Sequence, residues 1–294
     1  MSATLRQFAR FSTDAYGLER LLRLIQAALQ IIQAYPLAFS LLVSALSLIS
    51  PETSVADGKD PGPGLDPATL SVILTGLRNQ MGVWRRVIRL FRFIESFAAA
   101  QALYSAAAAG SLSLTAWLGI FSHSFNGMYF ALEAVTLLDV LGIPGLSPWG
   151  AEYGAVLKIE SQRSWLFALV SGALAGLLQV SKLRANRSAV LDEQKRGEEK
   201  KKEGEAKVAT GTGRGGSGGV DEEAVKVKAM DAQIAATSRK VTANLLDLVL
   251  PGAVLGWIPA APGTVGLAMF ATSLITGYDV WLRCGREVGN AKRS

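Results

Sequence analysis

SWLFALVSGALAGLLQVS, residues 164–181, is an uncharged run of 18 residues. Arg163 stands at one end with Trp165 just inside it, and Lys182, Arg184 and Arg187 stand at the other. The hydrocarbon core of a bilayer takes about 20 helical residues, and aromatic and cationic side chains settle at its edges. The stretch over 163–183 is therefore the best transmembrane candidate in the chain. Gly172 and Gly176 form GxxxG inside it, and Ser164 and Ala168 continue the same four-residue row. Small residues at this spacing let backbones approach closely, so the two glycines are candidate helix-packing residues that support self-association.

The composition agrees with a membrane location. Half of the 294 residues are apolar and the mean hydropathy is +0.28, which is high for a soluble domain. The net charge of +6 permits an anionic partner without demanding one. The single cysteine, Cys284, excludes an intrachain disulfide and fits a reducing compartment. The opening MSATLRQFARFST lacks the apolar core of a secretory signal, although Arg6 and Arg10, with no acid before Asp14, faintly resemble a mitochondrial presequence.

Working outward, the pattern is helical throughout. Leu18, Leu21, Ile25, Ala28, Leu29 and Ile32 recur at helical spacing, with Glu19, Arg23, Gln26, Gln30 and Gln33 opposite. This predicts an amphipathic helix over 14–35, capped by Thr13 or Asp14 and ended or kinked by Pro36. Residues 37–49 are apolar but too short to cross a bilayer alone. No charge occurs between Glu95 and Glu133, an interval that suits either a membrane-embedded hairpin or a buried bundle helix. Gly263–Tyr278 is a second, shorter apolar run with Trp281 and Arg283 at its edge.

The expected organisation is an N-terminal amphipathic segment over 1–50 and a Pro/Gly loop over 51–67. An amphipathic helix, apolar helices and the main span follow over 68–190. A charged, Gly-rich disordered linker occupies 191–223, and a helical segment with a possible second span at 263–281 fills 224–294. The fold class is all-α: an integral membrane protein with amphipathic N-terminal helices and one or two transmembrane spans.

Catalytic material is scarce. His123 is the only histidine and has no acid near it in sequence, so a hydrogen-bonded structural role outweighs a general base. One histidine and one cysteine cannot build a usual metal site. Gly211, Gly213 and Gly216 match GxGxxG but lie in the charged linker, without the strand and helix that a dinucleotide site needs. The expectation is a protein that is not an enzyme and carries no cofactor or metal.

One charged helix stands out. On a wheel of about 100° per residue, Arg78, Arg85, Arg86, Arg89 and Arg92 share one arc of about 120°. Leu77, Met81, Trp84, Val87, Ile88, Phe91, Ile94 and Ala98 fall on the other side, while Phe93 and Glu95 depart from the pattern. Nucleic acid would not require the wide apolar face, and a plain surface helix would not explain five arginines with no balancing acid before Glu95. A helix lying in a membrane interface requires both. The candidate membrane-binding residues are Arg78, Trp84, Arg85, Arg86, Ile88, Arg89, Phe91 and Arg92. The arginines are expected at the headgroups of an anionic surface, and nucleic acid is not expected as a partner.

The order of these segments resembles the peroxin-11 family of peroxisomal membrane proteins. The resemblance runs from Asp14, Gly17, Glu19 and Arg20 into Leu21-Leu22-Arg23-Leu24-Ile25-Gln26, then through the basic helix Arg85–Tyr104. It continues with Glu133 through Leu138 to Gly142-Ile143-Pro144, and with Trp165-Leu166-Phe167-Ala168-Leu169-Val170-Ser171-Gly172. It resumes from Asn244-Leu245-Leu246-Asp247 to Ser273–Trp281 and leaves out the 51–67 loop and the linker. The resemblance implies an integral protein of the peroxisomal membrane that elongates and remodels it before fission. It further implies self-association or pairing with family members, and work alongside dynamin-type fission machinery. In the family the helix matching 78–98 inserts into the outer leaflet. A pore or metabolite channel in the same membrane is the alternative, and a mitochondrial membrane protein a more distant one.

Overall fold

A computed structural model describes residues 2–49, 66–108, 110, 113–207 and 218–290. Every regular element among them is a helix. In chain order these are α1 (Ala3–Thr13), α2 (Ala15–Ala34), α3 (Pro36–Ile49), α4 (Pro67–Ile88), α5 (Arg92–Ala108) and α6 (Leu114–Val135). They continue as α7 (Leu137–Leu141), α8 (Gly150–Lys207), α9 (Gly218–Asp247), α10 (Val249–Val254) and α11 (Pro262–Asn290).

Local chemistry sets most of the boundaries. The Asp14 carboxylate accepts hydrogen bonds from the Tyr16 and Gly17 amides and caps α2. Pro36 cannot donate into the preceding turn, and the axis bends by 103° between α2 and α3. Pro67 occupies the first turn of α4, where no amide bond is lost. Gly142 closes α7 with φ +65°, a left-handed conformation that costs glycine little. The 51–65 part of the expected Pro/Gly loop lies outside the described residues.

The helices close into a ring. α2 packs against α4 and α11, α11 against α9, α9 against α8, α8 against α6, and α6 against α5. A tight turn at residues 89–91 joins α5 back to α4. α1 lies outside this ring on α11: Phe11 meets Trp281 edge-on at 5.7 Å, and the Gln7 amide donates to the Trp281 carbonyl at 2.8 Å. A small apolar core of Ala27, Leu250, Ala268 and Met269 holds α2, α10 and α11 together.

Beside this apolar core, the ring buries charge at its centre. The largest fully buried side chain is the carboxylate of Glu19, while Leu18 and Ile25 on the opposite side of α2 are exposed. The two faces expected for the 14–35 helix exist, and the polar one points inward. Water would favour the opposite arrangement, whereas hydrocarbon favours this one. Two helical stretches, Gly150–Glu193 and Pro262–Asn290, are long and apolar enough to cross a membrane. Only 22% of each apolar window is buried within the protein, so most of both surfaces faces outward. The bent pair α2–α3 would make a third if counted as one span.

Two features differ from the sequence reading. The helix expected to run unbroken through 78–98 is interrupted: the amides of Leu90, Arg92 and Ile94 bond to carbonyls three residues back, at Val87, Arg89 and Phe91. No proline or glycine marks this break. The disordered linker expected from residue 191 begins instead as helix, since α8 continues to Lys207. Glutamate, lysine, glutamine and alanine with no proline suit a helix interior. The glycine run at 208–217 lies outside the described residues.

Candidate functional site

The end of α4 and the start of α5 carry the site. Helical spacing puts Arg85, Arg89 and Arg92 on one face, and that face is turned toward the centre of the ring. Arg85 Nε and Nη2 each lie 3.2 Å from Glu19 Oε1, and Arg85 Nη1 donates to Gln26 Oε1 at 2.6 Å. Arg89 Nη1 is 3.9 Å and Arg92 Nη1 3.8 Å from the same carboxylate. Arg20 Nε approaches it at 3.4 Å from within α2. On the other side Arg89 Nη2 lies 2.8 Å from Glu133 Oε2, and Arg86 Nε lies 3.6 Å from Glu133 Oε1. Arg23 pairs with Asp247, both buried.

Aromatic rings complete the enclosure. Arg92 sits 4.0 Å over the Tyr16 ring, and Tyr16 donates its hydroxyl to Glu95. Arg89 lies 5.8 Å from the ring centre of Tyr129 and 5.6 Å from that of Phe130. Burial and the like charge of Arg89 lower the Arg85 guanidinium to about 10, despite Glu19, so it stays charged at neutral pH. Burial raises the Tyr129 hydroxyl to about 12.

The opposite face of the same segment is apolar and uncovered. Trp84 is 58% and Phe91 68% exposed, and Leu77, Val87, Ile94 and Phe97 are exposed beside them. Ile88 and Arg78 are half-buried. The structure therefore brings Arg85, Arg86, Arg89 and Arg92 together inside the ring and leaves Trp84 and Phe91 outside it. The arginines expected at lipid headgroups are paired within the protein. The sequence places their partners Glu19 on the polar face of 14–35 and Glu133 at the end of an uncharged interval, without pairing either with the arginines. The usable signal was Glu133, a lone acid in an otherwise apolar helix; such a residue calls for a buried partner.

Gly172 and Gly176 sit where α8 meets its neighbours inside the chain. A Cβ at Gly172 would stand 2.8 Å from Ser122 Oγ and 2.9 Å from Asn244 Nδ2. One at Gly176 would stand 2.4 Å from Val241 Cγ2. The Ser122 hydroxyl donates to the Ala168 carbonyl at 2.9 Å, confirming how closely α6 and α8 approach. The close approach read from GxxxG is made to α6 and α9 of the same chain.

The ring lines an open cavity of about 500 Å³. Its wall includes Arg20, Arg23, Arg89 and Arg92 of the arginine cluster, His123, Asn126, Lys240 and Asn244, with Phe130, Trp165 and Leu169 as an apolar side. Burial and Lys240 lower the His123 pKa, which favours the neutral imidazole. Among the described residues no group of three potential metal ligands comes together.

An all-helical ring with charge inside, apolar faces outside and two bilayer-length helices defines an all-α membrane protein. The model of the peroxisomal biogenesis factor 11 (PEX11) family matches residues 64–281, and the chain belongs to that family. It is thus a membrane protein of peroxisome biogenesis and proliferation. The matched region contains the arginine face, Glu133, the Gly150–Glu193 stretch and most of Pro262–Asn290, whereas Asp14, Gly17 and Glu19 precede it. No curated protein and no solved structure gives a match.

Proposed function

We propose that this protein is integral to the peroxisomal membrane and bends it, with the outward face of α4 and α5 acting as a wedge in one leaflet. The observation that carries this reading is the uncovered row Leu77, Trp84, Val87, Phe91 and Ile94 set over an inward arginine face. Each large apolar side chain taken out of water contributes roughly 1.5–3 kcal/mol, enough together to hold the segment in the acyl boundary. α8 and α11 anchor the wedge. Insertion on one side expands that leaflet, and curvature relieves the mismatch, elongating the organelle before fission. Self-association would multiply the effect, and dynamin-type fission machinery would act on the elongated product.

Reconstitution of the full chain into vesicles tests the wedge. The wild type should tubulate them, and Trp84→Glu or Phe91→Glu should abolish tubulation while leaving the protein folded and embedded. Unchanged tubulation in both variants would remove the wedge. A second reading, a pore, is favoured by a neighbouring cavity of about 730 Å³ that shares Ser122, His123, Lys240 and Thr276 with the central one. Conductance in planar bilayers tests it.

A further inference from the structure

The centre of the ring carries more positive charge than its own carboxylates balance. Arg20, Arg85, Arg86, Arg89 and Arg92 face Glu19 and Glu133, with Glu95 reaching Arg92 from the rim and Asp247 lying near Arg20, and none of the five side chains is more than 21% exposed. The adjoining Arg23–Asp247 pair is neutral as a unit. At the exposed rim, Glu95 accepts from Tyr16 and lies near Arg92, and Lys240 adds a further cation to the cavity wall. Five cations against three carboxylates leave two positive charges there, before Lys240 is counted, a costly state without a counter-ion.

The donors point to where that counter-ion sits. Arg23 Nε, Arg89 Nε and Arg92 Nη2 are buried without a hydrogen-bond acceptor, and all three residues line the cavity. The side chains of Arg23 and Arg89 are 5% and 10% exposed. Glu19 Oε2 and Glu133 Oε2 also lack a hydrogen bond, but both already lie within 4 Å of a guanidinium. Guanidinium forks match phosphate geometry, and a phosphate monoester supplies close to two negative charges and three acceptor oxygens. A monocarboxylate would leave half of that surplus unbalanced.

We propose that the central cavity is a binding site for a phosphate-bearing anion. The phosphate sits against Arg23, Arg89 and Arg92, and the rest of the molecule lies along Phe130, Trp165 and Leu169. The cavity volume admits a small phosphate ester or the headgroup end of an anionic lipid. The proposal is independent of the membrane wedge.

Full-length protein in phosphatidylcholine nanodiscs provides the test, read as the thermal unfolding midpoint and as affinity by calorimetry. One arm adds pyrophosphate at fixed ionic strength; the other replaces part of the lipid with phosphatidic acid. Stabilisation by pyrophosphate identifies a soluble phosphate, and stabilisation by phosphatidic acid alone identifies a lipid headgroup. Arg92→Gln should weaken the effective probe at least tenfold, and Lys240→Gln, at the exposed rim and safe for folding, about threefold. Arg92→Lys should restore part of the affinity. If neither probe stabilises the wild type, or if stabilisation is the same in Lys240→Gln and Arg92→Gln, the proposal is wrong.

Discussion

Arg89 Nη2 lies 2.8 Å from Glu133 Oε2, and this contact ties the end of α4 to α6 across the inside of the ring. Both side chains are nine-tenths buried. Breaking one side of a buried pair strands the other charge and typically costs about 3–5 kcal/mol. Glu133→Gln should therefore lower the unfolding midpoint of the detergent-solubilised protein sharply, because Arg86 and Arg89 lose their carboxylate together. A midpoint unchanged in Glu133→Gln would mean that water compensates these arginines.

Salt should separate the intact protein from its isolated helix. In the full chain Arg85, Arg86, Arg89 and Arg92 are turned into the ring beside Glu19 and Glu133, away from the apolar face that would lie on the bilayer, so they do not spread over a lipid surface. A peptide of 74–104 has the same arginines free, each worth on the order of 1 kcal/mol near an anionic membrane. Vesicle flotation of the peptide should fall steeply between low and physiological salt, where screening shortens to about 8 Å. Flotation of the full chain should barely change.

Gly176 is predicted to matter for folding before assembly. A Cβ there would stand 2.4 Å from Val241 Cγ2, so Gly176→Ala forces α8 and α9 apart. Overpacking of this kind costs about 1–3 kcal/mol. The melting midpoint should drop, while the crosslinked fraction of the protein that remains folded stays constant. A selective loss of crosslinking at an unchanged midpoint would place the glycine row in a contact between copies.

Anchoring should survive alkaline carbonate. Two helices are long and apolar enough to cross a bilayer and turn most of that apolar surface outward, and high pH would not weaken an anchor of this kind. The full-length protein should stay in the membrane pellet. Recovery in the supernatant would restrict α8 and α11 to helix packing within a peripheral protein.

The sequence by itself determined what depends on local pattern. The uncharged lengths of 164–181 and 263–278 set the bilayer-length helices. Asp14, Pro36, Pro67 and Gly142 set helix ends through capping, a missing amide and a left-handed turn. The wheel over 78–98 puts Arg85, Arg86, Arg89 and Arg92 on one side and Trp84 and Phe91 on the other, an arrangement that the structure also has. Only the tertiary structure decided which of the two faces points inward, because periodicity gives two faces and no sign. The sign comes from the solvent and from partners distant in the chain: Glu19 and Glu133 draw the arginines in, and the apolar side is left outside. The same convergence accompanies the break at 89–91, which no residue type announces. Close packing likewise carries no label of inside or between chains, and only the positions of Ser122, Asn244 and Val241 assign Gly172 and Gly176 to contacts within one chain.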